Sequence, residues 1–176
     1  MTHVFMGVAG CGKTEVGRRV AERLGLPFED ADGFHPRANV EKMAGGTPLT
    51  DADRAPWLAA MAEAIAEWNK SGGAALACSA LRRSYRDRLR EAGPVGFVHL
   101  AADREVIALR IAAREDHFMP PSLLDSQYAT LEPPAGEPVT DTVDVDTTLE
   151  EVVAAAAEAV RRQRAAAGIS AQGGAA

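Results

Sequence analysis

The segment GVAGCGKT, residues 7–14, constrains the fold of this chain more than any other stretch. It matches G-x-x-x-x-G-K-[ST] and follows HVFM (3–6), a short apolar run that predicts a β-strand. After it, apolar residues recur at four-residue spacing from Val16 to Leu24 and stop at Gly25, which predicts a helix with a glycine end. A strand, a glycine-rich turn and a helix in this order predict a phosphate-binding loop.

The loop divides phosphate binding between its backbone and its side chains. Its glycines let successive N–H groups point into one concavity, and the start of the helix adds its positive dipole end. Lys13 is expected to reach the outer phosphates and act in catalysis, and the Thr14 hydroxyl is expected to bind Mg²⁺. Cys11 is either a passive small residue or a redox switch, and the switch would need a lowered thiol pKa. The predicted ATP-binding residues of the loop are Gly7, Gly10, Cys11, Gly12, Lys13 and Thr14.

Further apolar runs alternate with helical patterns along the rest of the chain. Helices are expected around the apolar face that runs from Trp57 to Trp68, before Gly93, after Asp103, and after a capping box of Thr147 with Glu150. Strands that alternate with helices predict a three-layer α/β fold, a parallel sheet with helices on both faces. The predicted strands are HVFM (3–6), PFEDAD (27–32), AALACS (74–79), VGFVHL (95–100) and TVDVD (142–146).

Length and composition limit the organisation of the protein. A chain of 176 residues, 47% of them hydrophobic, predicts one domain, placed at residues 1–164, with a disordered tail at 165–176. The net charge of -6 argues against a nucleic-acid partner held by bulk electrostatics. Two cysteines outside any metal-ligand spacing suggest neither a disulfide framework nor zinc, and the lack of a leader or of a membrane-length apolar run predicts a cytoplasmic protein.

A phosphate loop alone leaves GTPase, ATPase, transporter subunit and small-molecule kinase open, although no Asn-Lys-x-Asp guanine signature is present. The stretch DADGFHPRANVEKM (30–43) adds the missing information. Asp30 and Asp32 end the second predicted strand, where an open α/β sheet binds its ligands, and their two-residue spacing predicts that both point to one side of the pleat. Phosphoryl transfer to a hydroxyl needs a carboxylate near the attacking oxygen. A solvated turn or a helix cap is the alternative for this pair.

The stretch DADGFHPRANVEKMAGGTPLTDADRAPWL (30–58) resembles the gluconokinase family of P-loop sugar-acid kinases. The likeness continues through CSALRRSYRDRLR (78–90) and HFMPPSLLDSQYATLEPP (117–134) and covers nearly the whole chain to about residue 162. It implies a P-loop NTPase fold of the nucleoside-monophosphate and shikimate kinase type, with strand order 2-3-1-4-5 and a mobile lid at about 110–124. It also implies ATP-dependent phosphorylation of D-gluconate at its 6-hydroxyl, giving 6-phospho-D-gluconate and ADP, and a homodimer.

The resemblance also implies roles for individual residues. Asp32 would orient the attacking hydroxyl and accept its proton, and Asp30 would hold Mg²⁺ through water. Arg54 is expected to grip the gluconate carboxylate with two parallel bonds, although an ion pair with Asp51 or Asp53 is the alternative. The predicted gluconate-binding residues are Asp32, His35, Lys42, Arg54, Ser79, Arg82 and Gln127.

The arginines of the second half divide into site candidates and surface residues. Arg110 and Arg114, four residues apart in the expected lid, would contact the transferring phosphates, although a surface pair with Glu115 or Asp116 would also explain Arg114. Tyr85 and Arg86 are weaker substrate-site candidates, and the other arginines of this helix are expected on a solvated face. Two alternative functions stay open: a shikimate or nucleotide kinase on the same scaffold, and a nucleotide-binding module without catalysis.

Overall fold

A five-stranded parallel sheet forms the centre of the computed structural model, which describes residues 1–45, 47–113 and 121–169. Its order is β2-β3-β1-β4-β5, and every neighbouring pair is parallel, which confirms the predicted sheet and its strand order. The strands are β1 (Thr2–Met6), β2 (Phe28–Asp30), β3 (Ala75–Ala77), β4 (Val95–Ala101) and β5 (Thr140–Asp144).

Helices cover both faces of the sheet, and one 3₁₀ turn, Ala31–Phe34, directly follows β2. Among the described residues, no helix has the length and apolar character that crossing a membrane would need. The helices are α1 (Lys13–Leu24), α2 (Arg37–Ala44), α3 (Asp51–Lys70), α4 (Arg83–Arg90), α5 (Arg104–Ala112), α6 (Pro121–Thr130) and α7 (Leu149–Ala166).

Each central strand sends alternate side chains into two hydrophobic clusters. In β1, Val4 and Met6 join the cluster that contains α3 and α4 residues, whereas Phe5 joins the cluster of α1, α5 and α7. In β4, Phe97 and Val98 divide in the same way, as the two-residue period of a strand requires. Because both faces are buried, these strands appear in the sequence as continuous apolar runs.

Between β4 and α7, the last strand and the capping box lie at other residues than predicted. The strand predicted at 142–146 occupies Thr140–Asp144, two residues earlier. The capping box that opens α7 is formed by Thr148 and Glu151, so the predicted pair of Thr147 and Glu150 is wrong. The N-cap must directly precede the first helical residue, and that residue is Leu149.

Two predicted segments extend beyond the described residues. Helix α7 runs to Ala166, two residues past the predicted domain end at 164, and the chain is described to Ile169. The rest of the predicted tail, 170–176, lies outside the described residues, as do residues 114–120 of the predicted lid.

Candidate active site

The phosphate loop joins the carboxyl end of β1 to α1, beside the end of β3. Gly7 N donates to the Ser79 carbonyl oxygen at 3.3 Å, which ties the start of the loop to the residues after β3. Gly12 forms the N-cap of α1 with φ +96°, a left-handed conformation that glycine adopts without the cost of a Cβ clash. The β1 strand lies where the order of the sheet reverses, which is where open α/β sheets bind ligands.

Lys13 lies over the loop from which it arises. Its Nζ donates to the Val8 carbonyl oxygen at 2.9 Å. The backbone N–H of Ala9 donates to Gln127 Oε1 of α6 at 2.6 Å, so a residue 118 positions away contacts the same loop. A Cβ on Gly10 would lie 2.8 Å from Ile111 Cγ1 of α5. Both α5 and α6 therefore pack directly on the phosphate loop.

Thr14 and Asp30 meet across the gap between α1 and β2. The Thr14 hydroxyl donates to Asp30 Oδ2 at 2.9 Å. A hydroxyl and a carboxylate are hard oxygen donors, the kind that Mg²⁺ prefers, so this pair fits the predicted metal role. The part of the chain that the structure describes has no group of three or more His, Cys, Asp or Glu side chains able to hold a metal. Thr14 and Asp30 would supply two oxygen ligands, and Mg²⁺ usually takes one or two protein ligands together with substrate phosphates and water.

Asp30 and Asp32 do not share one side of a pleat, so that prediction is wrong. The extended backbone ends at Asp30, and Ala31–Phe34 form the 3₁₀ turn, where strand alternation no longer applies. Instead, Asp30 Oδ1 accepts a hydrogen bond from Asp32 N at 3.1 Å and caps the turn. The cap proposed as an alternative is therefore present, and the same carboxylate also binds Thr14 through its other oxygen.

Trp57 of α3 contacts the 3₁₀ turn at Ala31–Phe34 and the residue that follows it. Its Nε1 donates to the Ala31 carbonyl oxygen at 2.7 Å, and its ring stacks on His35 with 4.5 Å between ring centroids and 8° between planes. Partial burial lowers the pKa of His35; the Asp32 charge opposes this shift, and the Arg54 charge adds to it. A neutral imidazole at this place can exchange hydrogen bonds with hydroxyl groups near Asp32.

Lys42 and Arg54 both have protein partners in the structure. Lys42 Nζ donates to Asp53 Oδ2 at 2.6 Å, and the same carboxylate forms the capping box of α3 with Thr50. The pKa of Asp53 lies well below its usual range, first because of the Lys42 hydrogen bond. Arg54 Nη1 donates to the Leu49 carbonyl oxygen at 2.5 Å and lies 4.0 Å from Asp51 Oδ1, so the ion pair proposed as an alternative is present at its outer limit.

A second charged group joins α3 to the start of α4. Asp51 accepts hydrogen bonds from Arg82 Nη1 at 2.7 Å and from the Tyr85 hydroxyl at 2.5 Å. The guanidinium carbons of Arg54 and Arg82 each lie 5.9 Å from the centre of the Tyr85 ring. The structure thus brings together Arg54, which was predicted for the substrate carboxylate, and Arg82, another of the predicted gluconate-binding residues.

Other predicted residues have different surroundings. Gln127, expected to bind a gluconate hydroxyl, uses its amide oxygen on the phosphate loop, as described above. Arg110 donates to the Val145 carbonyl oxygen, which ties α5 to the chain after β5. Ser79 follows β3 beside the loop, and Arg114 lies outside the described residues.

Arg86, a weaker candidate for the substrate site, is a structural residue. Its side chain is fully buried and donates to both Glu137 oxygens, at 2.9 and 2.5 Å, and to the carbonyl oxygens of Ala80, Leu81 and Glu132. These bonds lower the pKa of Glu137 to about 2, with a smaller contribution from Arg90. Arg86 therefore fixes the chain after β3 and the segment before β5, with no donor direction left for a ligand.

Both cysteines are buried free thiols. Burial raises the pKa of Cys11, although Lys13 opposes the shift, and burial raises the pKa of Cys78 to about 12. A thiol that stays protonated at neutral pH is a poor nucleophile, so these surroundings favour the passive interpretation of Cys11.

Sequence reasoning missed the supporting residues of the site. Asn39 joins α2 to α3, since its Nδ2 donates to the Asp53 carbonyl oxygen at 2.8 Å and lies 3.4 Å from His35 Nδ1. Asn39 and Trp57 both belong to the motif that carries the family resemblance, so a signal for them existed. Asp51 lies in the same motif and was predicted there only as a partner of Arg54, whereas its hydrogen bonds to Arg82 and Tyr85 cross 31 and 34 positions. Glu137 had no comparable signal, because its partner Arg86 lies 51 positions away.

Comparisons with known proteins agree with this architecture. The family model described as shikimate kinase matches residues 9–133. The gluconokinase of Gluconobacter oxydans (strain 621H) is 55% identical over 77% of this chain and 78% of that protein. The thermoresistant gluconokinase of Escherichia coli (strain K12) is 44% identical over 91% of this chain and 93% of that protein.

A solved structure gives the same result. The crystal structure of a gluconokinase from Sinorhizobium meliloti 1021 superposes with a TM-score of 0.85 at 47% identity, covering 92% of this chain and 91% of that one. Sequence identity at this level is far above that expected from a shared fold alone. The chain therefore belongs to the gluconokinase family, within the wider group of kinases that the shikimate kinase model describes.

Proposed function

We propose that this protein is an ATP-dependent gluconokinase that transfers the γ-phosphate of ATP to the 6-hydroxyl of D-gluconate. The relatives named above support the substrate, and one structural observation supports the chemistry. Asp30 contacts Thr14 of the phosphate loop through one oxygen and the backbone of Asp32 through the other. This single carboxylate joins the phosphate loop to the turn that carries Asp32, which supports a nucleotide side and an acceptor side that adjoin each other.

Phosphoryl transfer at this site would proceed by direct displacement. The 6-oxygen forms a bond to the γ-phosphorus while the bond from that phosphorus to the β–γ bridging oxygen breaks, and ADP leaves. Asp32 orients the hydroxyl and accepts its proton, and Lys13 offsets the negative charge on the outer phosphates. Thr14 and Asp30 would hold Mg²⁺, which neutralises phosphate charge when bound. Arg110 and Arg114, the arginines predicted at the phosphates, would contact the transferring phosphate.

The acceptor would be held by groups of two kinds. Arg54 and Arg82, which converge on the Tyr85 ring, supply positive charge for the gluconate carboxylate. Burial lowers the pKa of His35, and its ring is near enough to Asp32 for that charge to oppose the shift. We propose that this imidazole binds a hydroxyl near the reacting end of the sugar acid. Lys42 is held by Asp53, so it would contribute through a shared hydrogen bond rather than as a free cation.

Initial rates of ADP release test the proposal across gluconate, shikimate and nucleoside monophosphates. Shikimate is the informative competitor because the shikimate kinase model matches more than half of the chain. We expect turnover with gluconate and at most background rates with the other acceptors. Turnover with shikimate or a nucleotide in place of gluconate would overturn the proposal, and ATP binding without any phosphorylated product would indicate a non-catalytic module.

The setting of the enzyme is also a proposal. We place it in the cytoplasm, where ATP is available and where buried free thiols such as Cys11 and Cys78 stay reduced. We also propose a homodimer, which light scattering coupled to size-exclusion chromatography would measure.

A further inference from the structure

The Asp51 carboxylate uses both of its oxygens to hold residues at the start of α4. Oδ2 accepts from Arg82, the N-cap residue of that helix, and Oδ1 accepts from the Tyr85 hydroxyl one turn later. Asp51 itself is the first residue of α3, which is capped independently by Thr50 and Asp53. The bonds to α4 are therefore not needed to start α3.

Arg54 lies beside this group, so the positive charges of Arg54 and Arg82 both approach the Tyr85 ring. The guanidinium carbons of Arg54 and Arg82 are equally distant, 5.9 Å, from the Tyr85 ring centre. Their side chains stay 30% and 42% exposed, so both can still reach a ligand. Two arginines and one aspartate give the group a net charge of +1, which matches one substrate carboxylate.

We propose that Asp51 is a positioning and specificity residue, which fixes Arg82 and Tyr85 before the sugar acid binds and restricts this end of the site to a single negative charge. The inference rests on the proposed function and extends it to the choice among acids. An ordered guanidinium loses less conformational entropy when it binds a carboxylate than a free one does. A group of net charge +1 also favours a monoacid over a diacid, which would bring a second, uncompensated negative charge.

The Asp51→Asn variant tests both parts of the proposal. Asparagine has nearly the same shape, but it offers one acceptor oxygen for two donors and removes the negative charge. We expect the KM for gluconate to rise about tenfold, with kcat within about twofold and the KM for ATP unchanged. Inhibition by D-glucarate, the six-carbon diacid, should strengthen relative to gluconate by about tenfold because the net charge becomes +2.

Asp87→Asn is the matched control, since it removes the same charge from the exposed side of α4, where Asp87 pairs with Arg83 and Arg90. It should leave the KM for gluconate and the inhibition by glucarate as in the wild type. Asp51→Glu should restore part of the selectivity against the diacid, which lost packing alone would not predict. Tyr85→Phe is a second variant that removes one Asp51 bond and keeps all charges, so it should raise the KM for gluconate without strengthening glucarate inhibition.

An unchanged or lowered KM for gluconate in folded Asp51→Asn would overturn the proposal. Asp51 would then either have no effect on gluconate binding or compete with the gluconate carboxylate for the arginines. Thermal unfolding of each variant establishes that it is folded, and Tyr85→Phe decides the positioning role if Asp51→Asn does not fold. Failure of the proposed function has a different signature, since the wild type itself would then show no gluconate turnover.

Discussion

The Thr14 hydroxyl donates to Asp30 Oδ2 at 2.9 Å, and this bond connects the phosphate loop to the end of β2. The other oxygen of Asp30 accepts from the Asp32 backbone at 3.1 Å. One carboxylate therefore contacts both Thr14, proposed for the metal side, and the backbone of Asp32, proposed for the acceptor side. If these proposed roles hold, changes at Asp30 and Asp32 should affect different steps.

Asp30→Asn should weaken the response to Mg²⁺. The amide is a poorer donor to a hard cation or to its bound water, and such losses typically cost about tenfold to a hundredfold in metal affinity. We expect the Mg²⁺ concentration for half-maximal rate to rise by about tenfold at saturating ATP. Glu29→Gln, which removes an exposed carboxylate from the preceding residue of β2, is the control and should leave the Mg²⁺ response unchanged. An unaltered Mg²⁺ response in Asp30→Asn would remove Asp30 from the metal site.

Asp32→Asn should act on the chemical step. Losing the proton acceptor lowers kcat by about a hundredfold or more, whereas ATP affinity, set by the phosphate loop, should stay the same. Steady-state kinetics and equilibrium binding of ATP measure the two effects separately. A variant that keeps its kcat would show that Asp32 does not take the proton.

The phosphate loop and the sheet could be predicted from the sequence because they depend on local patterns. Gly7 to Thr14 form a contiguous motif, and strands buried on both faces appear as apolar runs. The relation of Asp30 to Asp32 could not be predicted in this way. Pleat alternation holds only while the backbone is extended, and the chain enters a 3₁₀ turn between them.

Residues whose partners are distant in sequence were the least predictable part of the site. Arg82 and Arg86 are four positions apart in one arginine-rich run. The Arg82 side chain is exposed to solvent, whereas the Arg86 side chain is buried and forms an ion pair with Glu137. Gln127 was expected at the substrate, but its oxygen accepts from Ala9 on the phosphate loop. Local pattern contains no information about such pairs, because tertiary packing alone brings them together.

Glu137→Gln should destabilise the fold strongly. It leaves the fully buried Arg86 guanidinium without its anion, and breaking a buried pair in this way typically costs about 3–5 kcal/mol. Urea unfolding at neutral pH measures the change. Glu91→Gln, which removes the exposed partner of Arg88, is the control and should cost less than about 1 kcal/mol. Equal effects of the two substitutions would contradict the structural role of Arg86.

The same pair predicts a loss of stability in acid. The pKa of Glu137 is lowered to about 2 in the fold, below its ordinary value of 4.5, so its contribution is complete above about pH 4.5. It should disappear as the pH falls from there toward 2. Glu137→Gln should flatten this part of the stability profile, and an unchanged slope would contradict the assignment.

A second pH effect should arise at His3, which is buried beside Gln163. Its Nδ1 lies 2.9 Å from Gln163 Oε1, and burial lowers its pKa to about 4, with Gln163 opposing the shift. The neutral ring is favoured in the fold, so stability should fall by about 3 kcal/mol as the pH drops from 6.5 to 4. His3→Asn can keep a similar N–H donor but cannot titrate, and it should reduce that fall. An identical profile in the variant would place the effect elsewhere.

The thiols should be inert in the native protein. Cys11 and Cys78 are buried with raised pKa values, so a thiol reagent at pH 7 should modify them at least about a hundredfold more slowly than in the urea-unfolded chain. Cys11→Ser, a change of similar size, should retain most of the kinase activity. Rapid labelling of native Cys11 with loss of ATP binding would instead support a redox role for the loop.

The position of the new phosphate group tests the central claim most directly. The product made from ATP and D-gluconate can be analysed by phosphorus–proton correlation NMR. A phosphate on the 6-oxygen must couple to the two protons of the terminal carbon, and the account predicts that correlation in the presence of the wild type and its near absence with Asp32→Asn. A phosphate correlated with any other position, or no phosphorylated gluconate at all, would contradict the account.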